Sequence, residues 1–89
     1  MPTFTAKQGQ YLTFSHAYAC IFGRSPAEAD LQRHFRTSPP SVHQMVLTLE
    51  RQRLIRRQPR LARSIELLIK PEKLPTLTAQ AVKSSVQRY

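Results

Sequence analysis

Residues 24–51 read RSPAEADLQRHFRTSPPSVHQMVLTLER, and two helix-start signals lie within this one stretch. Ser25-Pro26-Ala27-Glu28 has the form of a capping box with proline at the first helical position: the serine hydroxyl takes an orphan amide and the glutamate reaches back to the cap. Ala27, Leu31 and Phe35 then share one face, so a helix is predicted from about Pro26 to Phe35. Arg36-Thr37 is a short connection, after which Ser38-Pro39 repeats the start signal. Val42, Met45, Val46 and Leu49 follow at helical spacing. Two capped helices so close together make a helix-turn-helix unit.

On the N-terminal side, Thr5-Ala6-Lys7-Gln8 opens a further helix. Tyr11, Phe14, Tyr18 and Phe22 recur at steps of three and four, with Leu12 and Ala19 beside them, and Gly23 supplies the stop. On the C-terminal side the period changes. Leu54-Ile55-Arg56-Arg57 is short and β-prone, Gln58-Pro59-Arg60-Leu61-Ala62 suits a turn, and Ile65, Leu67 and Ile69 alternate with Ser64, Glu66 and Leu68 before Lys70-Pro71 ends the strand. Three helices and a basic hairpin, in that order, predict an α+β winged helix-turn-helix over residues 5–70. Residues 71–89, with Pro75 and several Thr and Ser, read as a tail that is mobile or ordered by a partner, with a weakly capped helix conceivable over Thr78–Arg88.

Charge narrows the function. Fourteen Lys and Arg stand against five acidic residues in 89, a formal net of +9, which calls for a polyanionic partner. On the third helix the core stripe leaves Pro40, Gln44, Leu47 and Arg51 opposite, flanked by Ser41, His43 and Thr48. Small polar residues of this kind suit a helix entering the major groove of duplex DNA, where glutamine can pair with adenine through two hydrogen bonds. Arg56, Arg57, Arg60 and Arg63 crowd the hairpin, and arginine forks match phosphate oxygens. An ordinary solvated helix face and charge run is the competing reading.

Other chemistries find little support. Glu28, Asp30, Glu50, Glu66 and Glu72 are scattered, and no glycine-rich elbow or Ser-Lys spacing is present, so no enzyme, catalytic residue or cofactor is expected. His16 and Cys20 stand four apart on one helix face, but nothing points to further ligands from His34 or His43, so no metal is expected. The single thiol cannot form an internal disulfide. Ala17-Tyr18-Ala19-Cys20 faintly resembles a secretory cleavage site, but Thr13, Ser15 and His16 interrupt any apolar run before it. No stretch is long enough to span a bilayer. The chain is therefore expected to be soluble and cytoplasmic, with no membrane partner. RNA binding lacks a glycine-aromatic motif, while a protein-interaction role for the same fold stays open. Leu47, Leu68, Leu74 and Leu77 are left without a place in the core and suit either a homodimer contact or mutual cover within one chain.

Phe4-Thr5-Ala6-Lys7-Gln8, Arg24 through Leu31, Ser38-Pro39-Pro40-Ser41-Val42 and Leu49-Glu50-Arg51-Gln52-Arg53-Leu54-Ile55, in that order and spacing, resemble the N-terminal DNA-binding domain of the LexA repressor family. That family opens with Thr-x-(Arg/Lys)-Gln, has a Pro-(Thr/Ala)-x-Ala-Glu-like second helix and a Ser-Pro before its recognition helix. The resemblance covers Thr5 to about Ile69. It implies a winged helix that reads duplex DNA through Ser38, Ser41, Val42, His43 and Gln44, and a transcriptional regulator of the repressor type. Arg53 departs from the pattern, standing where members commonly carry glycine. Full-length repressors continue into a Ser-Lys self-cleaving domain with no counterpart in these 89 residues, so a stand-alone DNA-binding domain is the expectation, and self-cleavage and dimerisation through that domain are not implied.

Overall fold

The computed structural model describes residues 4–58, 60–61 and 63–77. Pro59 and Ala62 of the expected turn, and the helix considered over Thr78–Arg88, lie outside the described residues.

Helix α1 runs Ala6–Phe22. Thr5 caps it: its Oγ1 accepts the Gln8 N–H at 3.1 Å while Gln8 Oε1 accepts the Thr5 N–H at 2.9 Å, so two orphan donors are satisfied reciprocally. Gly23, at φ 71°, ends it by donating its N–H to the Ala19 carbonyl. Tyr11 and Leu12 are fully buried, with Tyr11 stacked on Phe35 at 4.1 Å and nearly parallel. The apolar stripe outruns the core it was expected to cover: Phe22 at its end is 57% exposed, and Ile21 beside it 73%.

Helix α2, Glu28–Phe35, starts two residues later than its sequence suggests, and Ser25 is not its cap. Ala27 occupies that place, in extended backbone, and the Asp30 carboxylate accepts the Ala27 N–H at 2.8 Å. Tertiary structure decides the register. Pro26 is buried in the core, the Ser25 carbonyl is engaged by Arg63 at 3.3 Å, and Asp30 is held by Arg33 and Arg63. Helix α3, Pro39–Arg51, is capped by Ser38 as predicted, with the hydroxyl accepting the Ser41 N–H at 3.4 Å. It packs on α2 through Val42, Val46 and Leu49, all buried.

Leaving α3, the Arg53 N–H donates to the Glu50 carbonyl and the Leu54 N–H to the Leu49 carbonyl, both at 3.0 Å. This double closure, with Leu49 and Leu54 both in the core, is a Schellman motif. Arg53 sits at φ 62° within it, so the turn keeps the left-handed backbone that glycine would favour although the glycine is missing. Strands β1 (Ile55–Arg56) and β2 (Glu66–Leu67) pair antiparallel, Ile55 opposite Leu67 and Arg56 opposite Glu66. The Leu68 N–H extends the ladder to the Leu54 carbonyl at 2.9 Å. Leu54, Ile55 and Ile69 anchor this short hairpin in the core. The result is the α+β winged helix expected.

Residues 71–77 stay on the domain. A 3-10 turn, Pro71–Lys73, places Leu74 against the core. The Pro75 carbonyl then accepts from Thr13 Oγ1 at 2.8 Å and the Thr76 carbonyl from Gln10 Nε2 at 2.9 Å. The backbone comes so close to α1 that a Cβ at Gly9 would lie 2.9 Å from both the Phe4 ring and the Pro75 ring. Residues 71–77 thus lie as a strap across α1.

Candidate nucleic-acid interface

The outward face of α3 carries Pro40, Ser41, Gln44 and Thr48, which with Met45 and Gln8 of α1 line a shallow open depression. Ser41 and Gln44 are exposed. The Gln44 side chain makes no hydrogen bond among the described residues, so both ends of its amide face solvent. Its neighbours are more constrained. The Thr48 hydroxyl donates back to the Gln44 carbonyl at 2.9 Å, Ser38 is occupied in the cap and donates to the Ser41 hydroxyl at 3.0 Å, and His43 Nδ1 lies 3.3 Å from the Glu28 carboxylate on α2. Arg51 is exposed at the last turn.

Val42 does not belong to this face. It is 0% exposed, because the step from Ser38 that places Ser41 outward turns the next residue into the α2–α3 seam. A base edge cannot reach it, and its role is packing.

The hairpin arginines are not a single free run. Arg56 donates to Glu66 Oε1 from Nε at 3.1 Å and from Nη2 at 2.6 Å across the strand pair. Arg57, largely covered, donates to Glu50 of α3 at 3.1 Å. Arg63 turns inward: its Nη1 lies 2.9 Å from Asp30 Oδ2, 3.1 Å from the Tyr18 hydroxyl and 3.3 Å from the Ser25 carbonyl. That guanidinium ties the hairpin to α1 and α2 and is spent on the fold rather than held out to phosphate. Arg60 is the one hairpin arginine exposed and without an ion pair among the described residues. It borders a cleft between hairpin and α2 with Glu28, Arg57 and Ser64.

Sequence reasoning missed what long-range packing supplies: the approach of Gln8 to the α3 face, with exposed Lys7 beside it, and the Glu28–His43 pair fifteen residues apart. No local spacing signals either. His16 and Cys20 do meet, at 3.7 Å, but among the described residues no three His, Cys, Asp or Glu side chains converge as metal ligands would. No described helix is long and apolar enough to cross a membrane.

Three helices, a hairpin wing and a polar outward face on the third helix define a winged helix-turn-helix domain. No protein-family model matches the chain, but two curated relatives do. It is 38% identical over 72 residues to the LexA repressor of Thermosipho africanus, a match that takes in 81% of this chain and 36% of that protein. To the LexA repressor of Thermosipho melanesiensis it is 35% identical over 74 residues, 83% of this chain and 37% of the repressor. The chain is LexA-like, similar to the N-terminal domain of that family, and spans little more than a third of the length of the relatives it matches.

Proposed function

We propose that this domain binds duplex DNA as a repressor-type transcriptional regulator, with α3 in the major groove. The observation that carries the reading is the α3 face itself. An exposed glutamine amide with both ends free stands next to Ser41, and Lys7 on α1, Arg51 on the last turn of α3 and Arg60 on the hairpin are exposed with no ion pair among the described residues. Four of the five carboxylates are engaged by Arg33, His43, Arg56, Arg57 and Arg63. The field outside the molecule is therefore set by the remaining cations. Ser41 and Gln44 are the base readers in this reading, Ser38, His43 and Thr48 border them, and Arg51 and Arg60 meet phosphate. Arg56 and Arg57 reach phosphate only as members of ion pairs. The name of the Thermosipho relatives supports repression as the biological role.

The test is selection of bound sequences from a random duplex pool, followed by a salt series on the selected and a scrambled duplex. Binding should weaken steeply with salt, by about 0.9 log units per log unit of salt for each phosphate neutralised. Gln44→Ala should flatten preference at one or two base positions, where a paired contact discriminates by roughly 1–3 kcal/mol, and leave the salt slope in place. Arg60→Ala should weaken all sequences alike and reduce the slope by about one. A palindromic selected site would support a homodimer. Absence of duplex binding at low salt refutes the proposal.

A further inference from the structure

Three helices in this fold end on a residue in the left-handed backbone region. At the end of α1 it is Gly23, at φ 71°, the residue type for which that conformation carries no steric penalty. The other two are arginines. Arg36, at φ 52°, closes α2, and Arg53, at φ 62°, closes α3, and no other described residue besides glycine has positive φ. Both turns are fully formed: the N–H groups of Arg36 and Thr37 converge on the Gln32 carbonyl, and Arg53 and Leu54 complete the Schellman motif. Glycine or asparagine would make the same hydrogen bonds without strain.

These two arginines are also alike in what they do not touch. Both are exposed, and neither has an ion pair among the described residues, in contrast to Arg33, Arg56, Arg57 and Arg63. Their placement is symmetrical about one element. Arg36 lies two residues before the Ser38 cap of α3 and Arg53 two residues beyond its last residue, Arg51. A helix of 13 residues is about 20 Å long, whereas the major groove is about 12 Å wide. A helix lying across the groove therefore delivers its two ends to the phosphate strands on either side.

We infer that Arg36 and Arg53 are a pair of phosphate contacts bracketing α3, held in strained backbone because a guanidinium at each end of the recognition helix serves DNA binding. The inference rests on the DNA-binding reading above and adds to it two residues that lie outside both the α3 face and the hairpin run. It assigns them opposite effects on stability and on binding, which a passive surface residue does not have.

The experiment compares the full chain with Arg36→Gly, Arg53→Gly, the double variant, and Arg53→Lys, by thermal melting and by fluorescence anisotropy on a labelled mixed-sequence duplex across a salt series. Each glycine variant should melt a few degrees higher, bind about fivefold more weakly at low salt, and show a salt slope shallower by about one. The double variant should lose about two. Arg53→Lys, which keeps charge and strain together, should retain the slope without the gain in melting temperature. If the wild type binds with a steep salt dependence and the glycine variants bind the same duplex with the same slope, the inference is overturned while the DNA reading stands. If the wild type shows no salt-dependent duplex binding, the DNA reading fails and takes the inference with it.

Discussion

Asp30 is the residue on which the hairpin, α2 and α1 converge, and its removal gives a sharp quantitative test. Its side chain is 8% exposed. Oδ2 accepts from the Ala27 N–H at 2.8 Å and from Arg63 Nη1 at 2.9 Å, and Oδ1 accepts from Arg33. The Ala27 bond is a helix-cap interaction worth about 1 kcal/mol. The Arg63 bond is charge-assisted, but that guanidinium is open to solvent, which screens it. Arg33 is 73% exposed and adds at most about 0.5 kcal/mol. Asp30→Ala should therefore cost at least about 1 kcal/mol, and Asp30→Asn, which keeps an acceptor for Ala27, less. Burial alone would raise this carboxyl, yet the Ala27 N–H, Arg63 and Arg33 together outweigh it and hold it below its ordinary 3.8. A lowered carboxyl stabilises the fold above the unfolded value. That contribution is present at pH above about 3.8 and disappears as pH falls through the lower folded value. Urea unfolding, which leaves the ion pairs unscreened, should show this acid loss in the wild type and not in Asp30→Asn. In a double-mutant cycle, Asp30→Asn and Arg63→Ala should be non-additive, with the double variant losing less than the sum of the two. A cost below about 0.5 kcal/mol for Asp30→Ala, or strict additivity with Arg63→Ala, refutes the convergence.

Four further substitutions have signs that follow from the structure. Gly9→Ala, normally favourable in a helix by nearly 1 kcal/mol, should instead destabilise by about 1 kcal/mol in urea unfolding, since its Cβ would press on Phe4 and Pro75 at 2.9 Å; a rise in stability would show that the strap is not seated there. Ser38→Ala should cost about 0.5–1 kcal/mol through loss of the α3 cap, whereas Ser25→Ala, whose carbonyl rather than hydroxyl is engaged, should stay within about 0.5 kcal/mol; the reverse order would restore Ser25 as a cap. His34 is stacked on Phe14 at 4.2 Å, its Nε2 is buried with no partner, and burial lowers its basicity below the ordinary 6.5. The fold favours the neutral ring, so stability present above pH 6.5 is lost as pH falls toward the lower folded value. His34→Phe should raise the melting temperature and flatten that decline, and an unchanged profile would place the titration elsewhere.

Much of the fold was legible because it is local. Ser38-Pro39, Gly23 and the apolar steps through Val42, Val46 and Leu49 each act within a turn or two of themselves, and each is found where its spacing puts it. The misreading at Ser25 shows the limit. Ser25–Glu28 and Ala27–Asp30 both place a carboxylate three residues after a possible cap, Ser25 with the better capping side chain, and the choice between them falls to Arg63, thirty-three residues from Asp30. The hairpin arginines were read as one basic run because composition does not show that Glu66 and Glu50, ten and seven residues away, fold back onto Arg56 and Arg57. Val42 was placed on the DNA face by resemblance, although its own position in the apolar stripe already assigned it to the core. For the strap over residues 71–77 one sign was present, a glycine in mid-helix at Gly9, which commonly marks a close backbone approach, but nothing in the sequence says that Pro75 makes it.

Gly9 also fixes where the first and last described stretches of the chain lie in space. The Phe4 and Pro75 rings both lie within reach of its single missing methyl group. The first and last described turns therefore meet on one spot of α1, and the fold is close to a closed ring in which only that short gap is open. Two consequences follow for anything joined to it. A segment attached before Phe4 and one attached after Leu77 leave from the same patch of surface, so they compete for the same space. A short linker between Phe4 and Leu77 would span only that patch and leave the core undisturbed.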